Sequence, residues 1–262
     1  MSGTRVVTIK TAADFDKMKI AGECVAMMHA AVREIAAPGV TTRDLDEVSR
    51  EILDEYGCRS SFLGYGGPQN PFSGVICASP NSVIVHGIPG DYLLRDGDVI
   101  SIDAGAIYEG WHGDAAFTMA IGDVSDEIQN LLDVTERALW AGLRQAQVGN
   151  RLGDIGAAIE AVAQPHGIGV VRDYVGHGIG RQMHEAPSVP NYGTPGKGLR
   201  IKKGMAFAIE PMFNLGTEES VVLDDQWTVV TADGAYSVHF EHTVLITEEG
   251  SIVSTLPEPK LL

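Results

Sequence analysis

The chain has 262 residues, 44% hydrophobic and 21% charged, which excludes a disordered or fibrous polymer and supplies ample material for a buried core. Its 19 Lys and Arg against 35 Asp and Glu give a net charge of −16, which argues against broad nucleic-acid binding. Three cysteines (Cys24, Cys58, Cys77) form no C-x-x-C pair, the opening MSGTRVVTIKTAADFD has no apolar leader core, and no run approaches a membrane span, so a reduced cytoplasmic protein is expected.

The spacing predicts a helix over 11–36. Thr11 with Asp14 forms a capping-box pattern, and Phe15, Met18, Ala21, Val25, Met28, Val32 and Ile35 recur at helical intervals. PGVTTRDLDEVSREILDEYG, 38–57, predicts a second helix with Gly39 before it and Gly57 ending it. Strands are expected at 74–78 and 83–85, then a hairpin over 98–121 that turns near Glu109-Gly110. A turn centred between Tyr108 and Glu109 sets Asp103 directly opposite Asp114. One centred on Glu109-Gly110 sets Asp114 opposite Gly105, diagonal to Asp103. Both placements put the two carboxylates on one face at cross-strand distance, whereas a three-residue loop would separate them unless a bulge restored the phase.

A further helical stretch precedes VGNRLGDIGAAIEAVAQPHG, 148–167. At an offset of 110 residues Gly39 meets Gly149, Asp44 meets Asp154, Leu45 meets Ile155 and Gly57 meets Gly167. Strands follow at 170–175, 204–210, 220–231 and 237–247; the basic KGLRIKK, 197–203, reads as a solvated loop. Helices gathered beside runs of strands predict an α+β fold, and the long offset predicts two similar halves, approximately 11–124 and 125–250. With no low-complexity linker, the expectation is a single domain over 1–262. The absence of G-x-G-x-x-G and of a Walker A loop disfavours nucleotide chemistry.

Four acids, Asp103, Asp114, Glu210 and Glu241, interrupt β segments otherwise built for a core. No Lys or Arg lies within four residues of Asp103, Glu210 or Glu241. Singly, each has a plain reading as an edge or ion-paired acid. Together, buried and unpaired, they would cost on the order of several kcal/mol each. Four carboxylates with a neutral imidazole carry a charge that two divalent cations neutralise, and oxygen-rich sites with one or two His suit Mn, Fe, Co or Zn. Candidate histidines are His86, ending the run VIVHGIP, and His177 and His184 in YVGHGIGRQMHEAP, whose glycines are too dense for a helix.

HGIP (86–89), SIDAG (101–105), HGDAA (112–116), GHGIGRQMHE (176–185), AIEPM (208–212) and FEHT (240–243) resemble, in order and over essentially the whole chain, the methionine aminopeptidases. The resemblance implies the pita-bread fold, two pseudo-symmetric α+β halves around a central antiparallel sheet, and a metallo-exopeptidase with two divalent cations (Co, Mn, Fe or Zn). It assigns Asp114 and Glu241 as bridging ligands, Asp103 to one metal, and His177 and Glu210 to the other. Glu210 would also accept a proton, and His86 and His184 would contact substrate. Tyr65, Cys77, Met183 and Trp227 would line the methionine pocket.

The match is closest to bacterial type I members. Only 26 positions separate His184 from Glu210, too few for the type II insertion, and His86 comes too early for the N-terminal domain of prolidase or aminopeptidase P. The implied substrate is the N-terminal Met of nascent peptides with a small second residue. Transient ribosome contact, a monomeric state and no specific nucleic acid or membrane partner are also implied. A prolidase-like activity and a non-catalytic ribosome-binding relative are the alternatives. One departure stands out: LGYGGPQNPFSGVICAS, 63–79, carries Gly66-Gly67 and a few extra residues where the family has a shorter segment.

Overall fold

The computed structural model describes residues 6–262; the first five, which open the stretch read above for a leader, lie outside the described residues. The expected first helix is α1 (Ala12–Ile35), with Thr11 and Asp14 in a reciprocal capping box. The second is α2 (Thr42–Glu55), where Thr41 and Asp44 repeat the device. The second half supplies α3 (Asp126–Gln145) and α4 (Leu152–Ala163), the latter capped through Asp154, which accepts the Arg151 N–H at 2.7 Å.

The central sheet is antiparallel and ten-stranded. The strands that carry the site are β1 (Ile76–Pro80), β2 (Val99–Tyr108), β3 (Trp111–Ala120), β4 (Gly176–Gly178), β5 (Ala206–Ile209) and β7 (Glu241–Ile246). In space they run β2, β3, β7, β5, β4, with β1 also paired to β2. A short strand β6 (Ser237–His239) belongs to a separate three-stranded sheet with Met212–Asn214 and Gly169–Val170.

The alternation of side chains along these strands decides the architecture. Ile100, Ile102, Ala104 and Ala106 of β2, Ala115 and Phe117 of β3, Phe207 and Ile209 of β5, and Val244 and Ile246 of β7 face one way and join the helices in the main core. Asp103, Asp114, His177 and Glu241 occupy the opposite phase. The second turn placement is the one adopted: Asp114 pairs with Gly105 and Asp103 with Ala116. Glu109 (φ 47°) and Gly110 (φ 80°) both take positive φ, as a tight two-residue hairpin turn requires.

The offset seen in the sequence has a backbone counterpart. Gly39 and Gly149 adopt φ 94° and 97°, and Gly57 and Gly167 adopt 62° and 64°. Isolated bridges Thr41–Leu93 and Arg151–Arg200 tie each copy to the segment leading into its half of the sheet. The two halves are pseudo-symmetric.

Several expected strands differ in extent. The strand expected at 170–175 ends at Val170. The stretch 220–231 is a hairpin of Ser220–Val222 with Val229–Thr231, because Asp225 accepts the N–H groups of Trp227 and Thr228 (both 2.8 Å) and turns the chain. The stretch 237–247 breaks at Phe240, where the chain passes from one sheet to the other. No described helix is long and apolar enough to cross a membrane.

Close approach of α1 to the sheet depends on glycine. A Cβ on Gly113 would stand 2.7 Å from the Gly22 nitrogen, and one on Gly22 would overlap the Ser254 carbonyl oxygen. Gly22→Ala should therefore destabilise the fold by about 1–3 kcal/mol, the scale of overpacking. An unchanged denaturation midpoint would contradict this packing.

Candidate metal centre

All eleven residues singled out from the sequence line one cavity of about 290 Å³: Asp103, Asp114, His177, Glu210 and Glu241, with His86, His184, Tyr65, Cys77, Met183 and Trp227. The acids come from four separate chain segments. Asp103 projects from β2 and Asp114 from β3, Glu210 follows the last residue of β5, and Glu241 opens β7. Register brings them together: Glu241 pairs with Ala116, the partner of Asp103, and His177 pairs with Ala208, two residues before Glu210.

The electrostatics are those of a crowded anionic site. Asp114 and Glu241 are each only 2% exposed. Among the described residues, Asp103 Oδ1, Asp114 Oδ1 and Glu241 Oε1 are buried without a hydrogen-bond partner. Between protein groups alone, burial, reinforced by the Asp114 charge, holds Asp103, Glu210 and Glu241 well above the usual carboxylate range. Burial likewise pushes Asp114 up to about 7, partly offset by a hydrogen bond with Asp103 that requires a shared proton.

His177 is poised as a neutral donor. Its Nδ1 lies 2.9 Å from the Gly178 carbonyl oxygen, which can only accept, so Nδ1 carries the hydrogen and Nε2 presents a lone pair. That lone pair faces Asp114 Oδ2 at 3.8 Å and Glu210 Oε1 at 3.5 Å. Burial lowers the ring's pKa to about 3, so it stays unprotonated beside these acids. A lone pair aimed at carboxylate oxygens is repulsive until a cation lies between them. Ligand atoms of Asp114, His177 and Glu241 fall within 4.8 Å of one another, a span one ion can bridge. The donor set is oxygen-rich with one imidazole, and it fits divalent first-row ions.

Aromatic side chains and histidines form the walls. The rings of His177 and His184 lie 4.3 Å apart, and the Tyr65 hydroxyl meets His184 Nδ1 at 2.7 Å. The 180–185 turn behind His184 is pinned by Glu185, which accepts the Arg181 N–H at 2.7 Å and pairs with buried Lys10 at 2.9 Å. His86 sits at φ 60°, a strained backbone for a residue with a Cβ. Its ring makes edge contacts with Tyr174 (5.7 Å) and Trp227 (6.4 Å), and burial lowers its pKa to about 4. Phe62, Phe72, Cys77 and Met183 form a compact apolar cluster against which Trp227 packs.

The unusual 63–79 segment is part of this wall. Gly66 (φ 87°) lies so near Trp227 that a Cβ there would be 2.5 Å from the indole, and Asn70 accepts the Trp227 indole N–H at 3.2 Å. Phe62, Phe72, Tyr174 and His239 also line the cavity and were not among the expected residues. Only His239 carried any signal, its place two residues before Glu241, and the chain changes sheets between them. The aromatics lie in loops without periodicity.

Residues 16–248 match the model of metallopeptidase family M24. The chain is 45% identical to methionine aminopeptidase 1 of Bacillus subtilis, covering 95% of this chain and 99% of that one. It is 46% identical to the Mycobacterium tuberculosis protein of the same name, covering 98% and 97%. The solved methionine aminopeptidase of Thermotoga maritima superimposes with a TM-score of 0.93 at 42% identity, covering 96% and 100%. Prolidase from Pyrococcus furiosus shares the fold at a TM-score of 0.75 and 22% identity, with 95% of this chain and 66% of that one covered. The family model and these relatives, matched over nearly the whole chain, show that it belongs to metallopeptidase family M24, among the methionine aminopeptidases.

Proposed function

We propose that the protein hydrolyses the peptide bond after an N-terminal methionine, with a single catalytic domain whose halves, about 11–124 and 125–250, both contribute to the site. The observation that carries this reading is the convergence of four acids and His177 in one cavity that Cys77, Met183 and Trp227 also line. An unbranched thioether fills such a slot through dispersion contacts with sulfur and aromatic surfaces. The anionic floor favours the free amino group of a chain terminus over an internal peptide.

In this reading two divalent cations would be held by Asp114 and Glu241 in common, with Asp103 serving one of them and His177 and Glu210 the other. Bound there, the cations supply Lewis acidity that acidifies water and polarises a carbonyl. Glu210 accepts the proton of the attacking water. His184, braced by Tyr65, faces the developing oxyanion. His86, neutral at physiological pH, donates a hydrogen bond to the scissile amide. The chain would act as a cytoplasmic monomer on nascent peptides, with transient ribosome contact.

Purified protein with Mn²⁺ or Co²⁺ should release Met from Met-Gly-x peptides and leave x-Pro peptides intact. EDTA should abolish release, and persistent absence of turnover with both metals would sink the assignment. His86→Ala should lower kcat by at least ~10²-fold, the scale of one hydrogen-bonding catalytic group; an unaltered kcat would remove His86 from the mechanism.

The raised carboxyl pKa values also make a prediction for protein stripped of metal. A carboxyl whose pKa is higher in the fold contributes stability that is full below the unfolded value of ~4 and lost as pH rises through the folded value. The lowered histidines act in the opposite sense, fading above about pH 7 as unfolded imidazoles of pKa ~6.5 lose their protons, and they do so with or without metal. Between about pH 7 and 8 the unfolding midpoint of stripped protein should therefore fall relative to the metal-loaded protein, since Asp114 titrates at about 7 and burial raises its neighbours in the same direction. Metal-loaded protein, with its carboxylates already ionised, should show no such slope in that range.

A further inference from the structure

The two oxygens of Glu210 face different imidazoles. Oε1 lies 3.5 Å from His177 Nε2, whereas Oε2 lies 3.9 Å from Nε2 of His239, a residue the sequence reading passed over. His239 is 2% exposed and lines the cavity, and its Nε2 has no hydrogen-bond partner among the described residues.

The backbone of His239 is held in place from both sides by one side chain. Its N–H donates to Thr118 Oγ1 at 3.0 Å, and the same hydroxyl donates back to the His239 carbonyl at 2.7 Å. Thr118 lies on β3 in the phase of Asp114, so the strand that presents one acid also fixes this imidazole. The far side of Glu210 is anchored as well: Asn191 Nδ2 donates to its backbone carbonyl at 3.0 Å. The 3.9 Å gap is about 1 Å beyond hydrogen-bond length, within reach of a rotation of the Glu210 carboxylate.

His239 stands beside Glu210 Oε2, at 3.9 Å, and outside the group of Asp114, His177 and Glu241 that one ion can span. A neutral imidazole offers one N–H and no charge, which suits an oxygen already committed to a cation.

We infer that His239 is a positioning residue for Glu210, donating its Nε2–H to Oε2 so that the carboxylate cannot swivel. Outer hydrogen bonds of this kind orient metal ligands and tune their basicity. The inference rests on the reading of Glu210 as ligand and proton acceptor.

The test compares His239→Leu, which fills space without a donor, with His239→Gln, whose amide can donate over a similar reach. His239→Leu should lower kcat on Met-Gly-x at least ~10-fold with KM nearly unchanged, and weaken Mn²⁺ binding by ~10-fold in calorimetry. His239→Gln should recover most of both losses. Wild-type values in both variants, or equal losses in both, would overturn the role. Should the Leu variant fail to fold, nitrogen-15 imidazole shifts of the Zn²⁺-loaded wild-type protein decide: Nε2 must carry the hydrogen, and a bare Nε2 refutes the proposal. Failure of the wild-type protein to bind metal or turn over would instead count against the functional reading itself.

Discussion

Four carboxylates share one face of a sheet whose other face is the main core, and each costs on the order of several kcal/mol to bury as an ion without a partner. Strand periodicity makes this arrangement possible. Because neighbouring residues point to opposite faces, Ile102 and Ala104 can pack against helices while Asp103 between them faces the cavity. The same sequence stretch therefore supplies stability and chemistry without mixing them. Neutral histidines around the acids add hydrogen-bonding capacity and no further charge.

Pseudo-symmetry distributes the site between the halves. Gly97 (φ 89°) and Gly204 (φ 84°) occupy matching turns, and each is followed six residues later by an acid, Asp103 in one half and Glu210 in the other. The central pairing of β3 with β7 then sets Asp114 and Glu241 side by side across the junction. A cavity at such a junction gains acids from both copies, although neither copy carries all four.

Much of this was readable in the chain. The capping box at Thr11, the 110-residue offset and the two aspartates on one hairpin face are each carried by short stretches of sequence, and such patterns survive into the fold. The turn placement stayed open because both candidate turns satisfy the same phase; the positive φ of Glu109 settles it, and a glutamate gives little warning of that conformation. The break at Phe240 was hidden because an apolar residue continues a strand pattern even where the chain changes partners. His239 was overlooked for a related reason, since its place in the site depends on a strand of another sheet. The aromatic wall from Phe62 to Phe72 lies in a loop, where no period announces which side chains turn inward.

The two-residue turn at Glu109-Gly110 has a consequence for how such chains can vary. Inserting or deleting a single residue there would slide β3 by one position against β2, turning Asp114 toward the helices and Phe117 toward the cavity unless a bulge absorbed the change. Length variation in descendants of this chain is thus filtered by parity at the hairpin, while the 63–75 loop, bound by no such alternation, is free to lengthen and reshape the rim. Divergence of specificity can proceed at the edge of the cavity while its acidic floor stays in register.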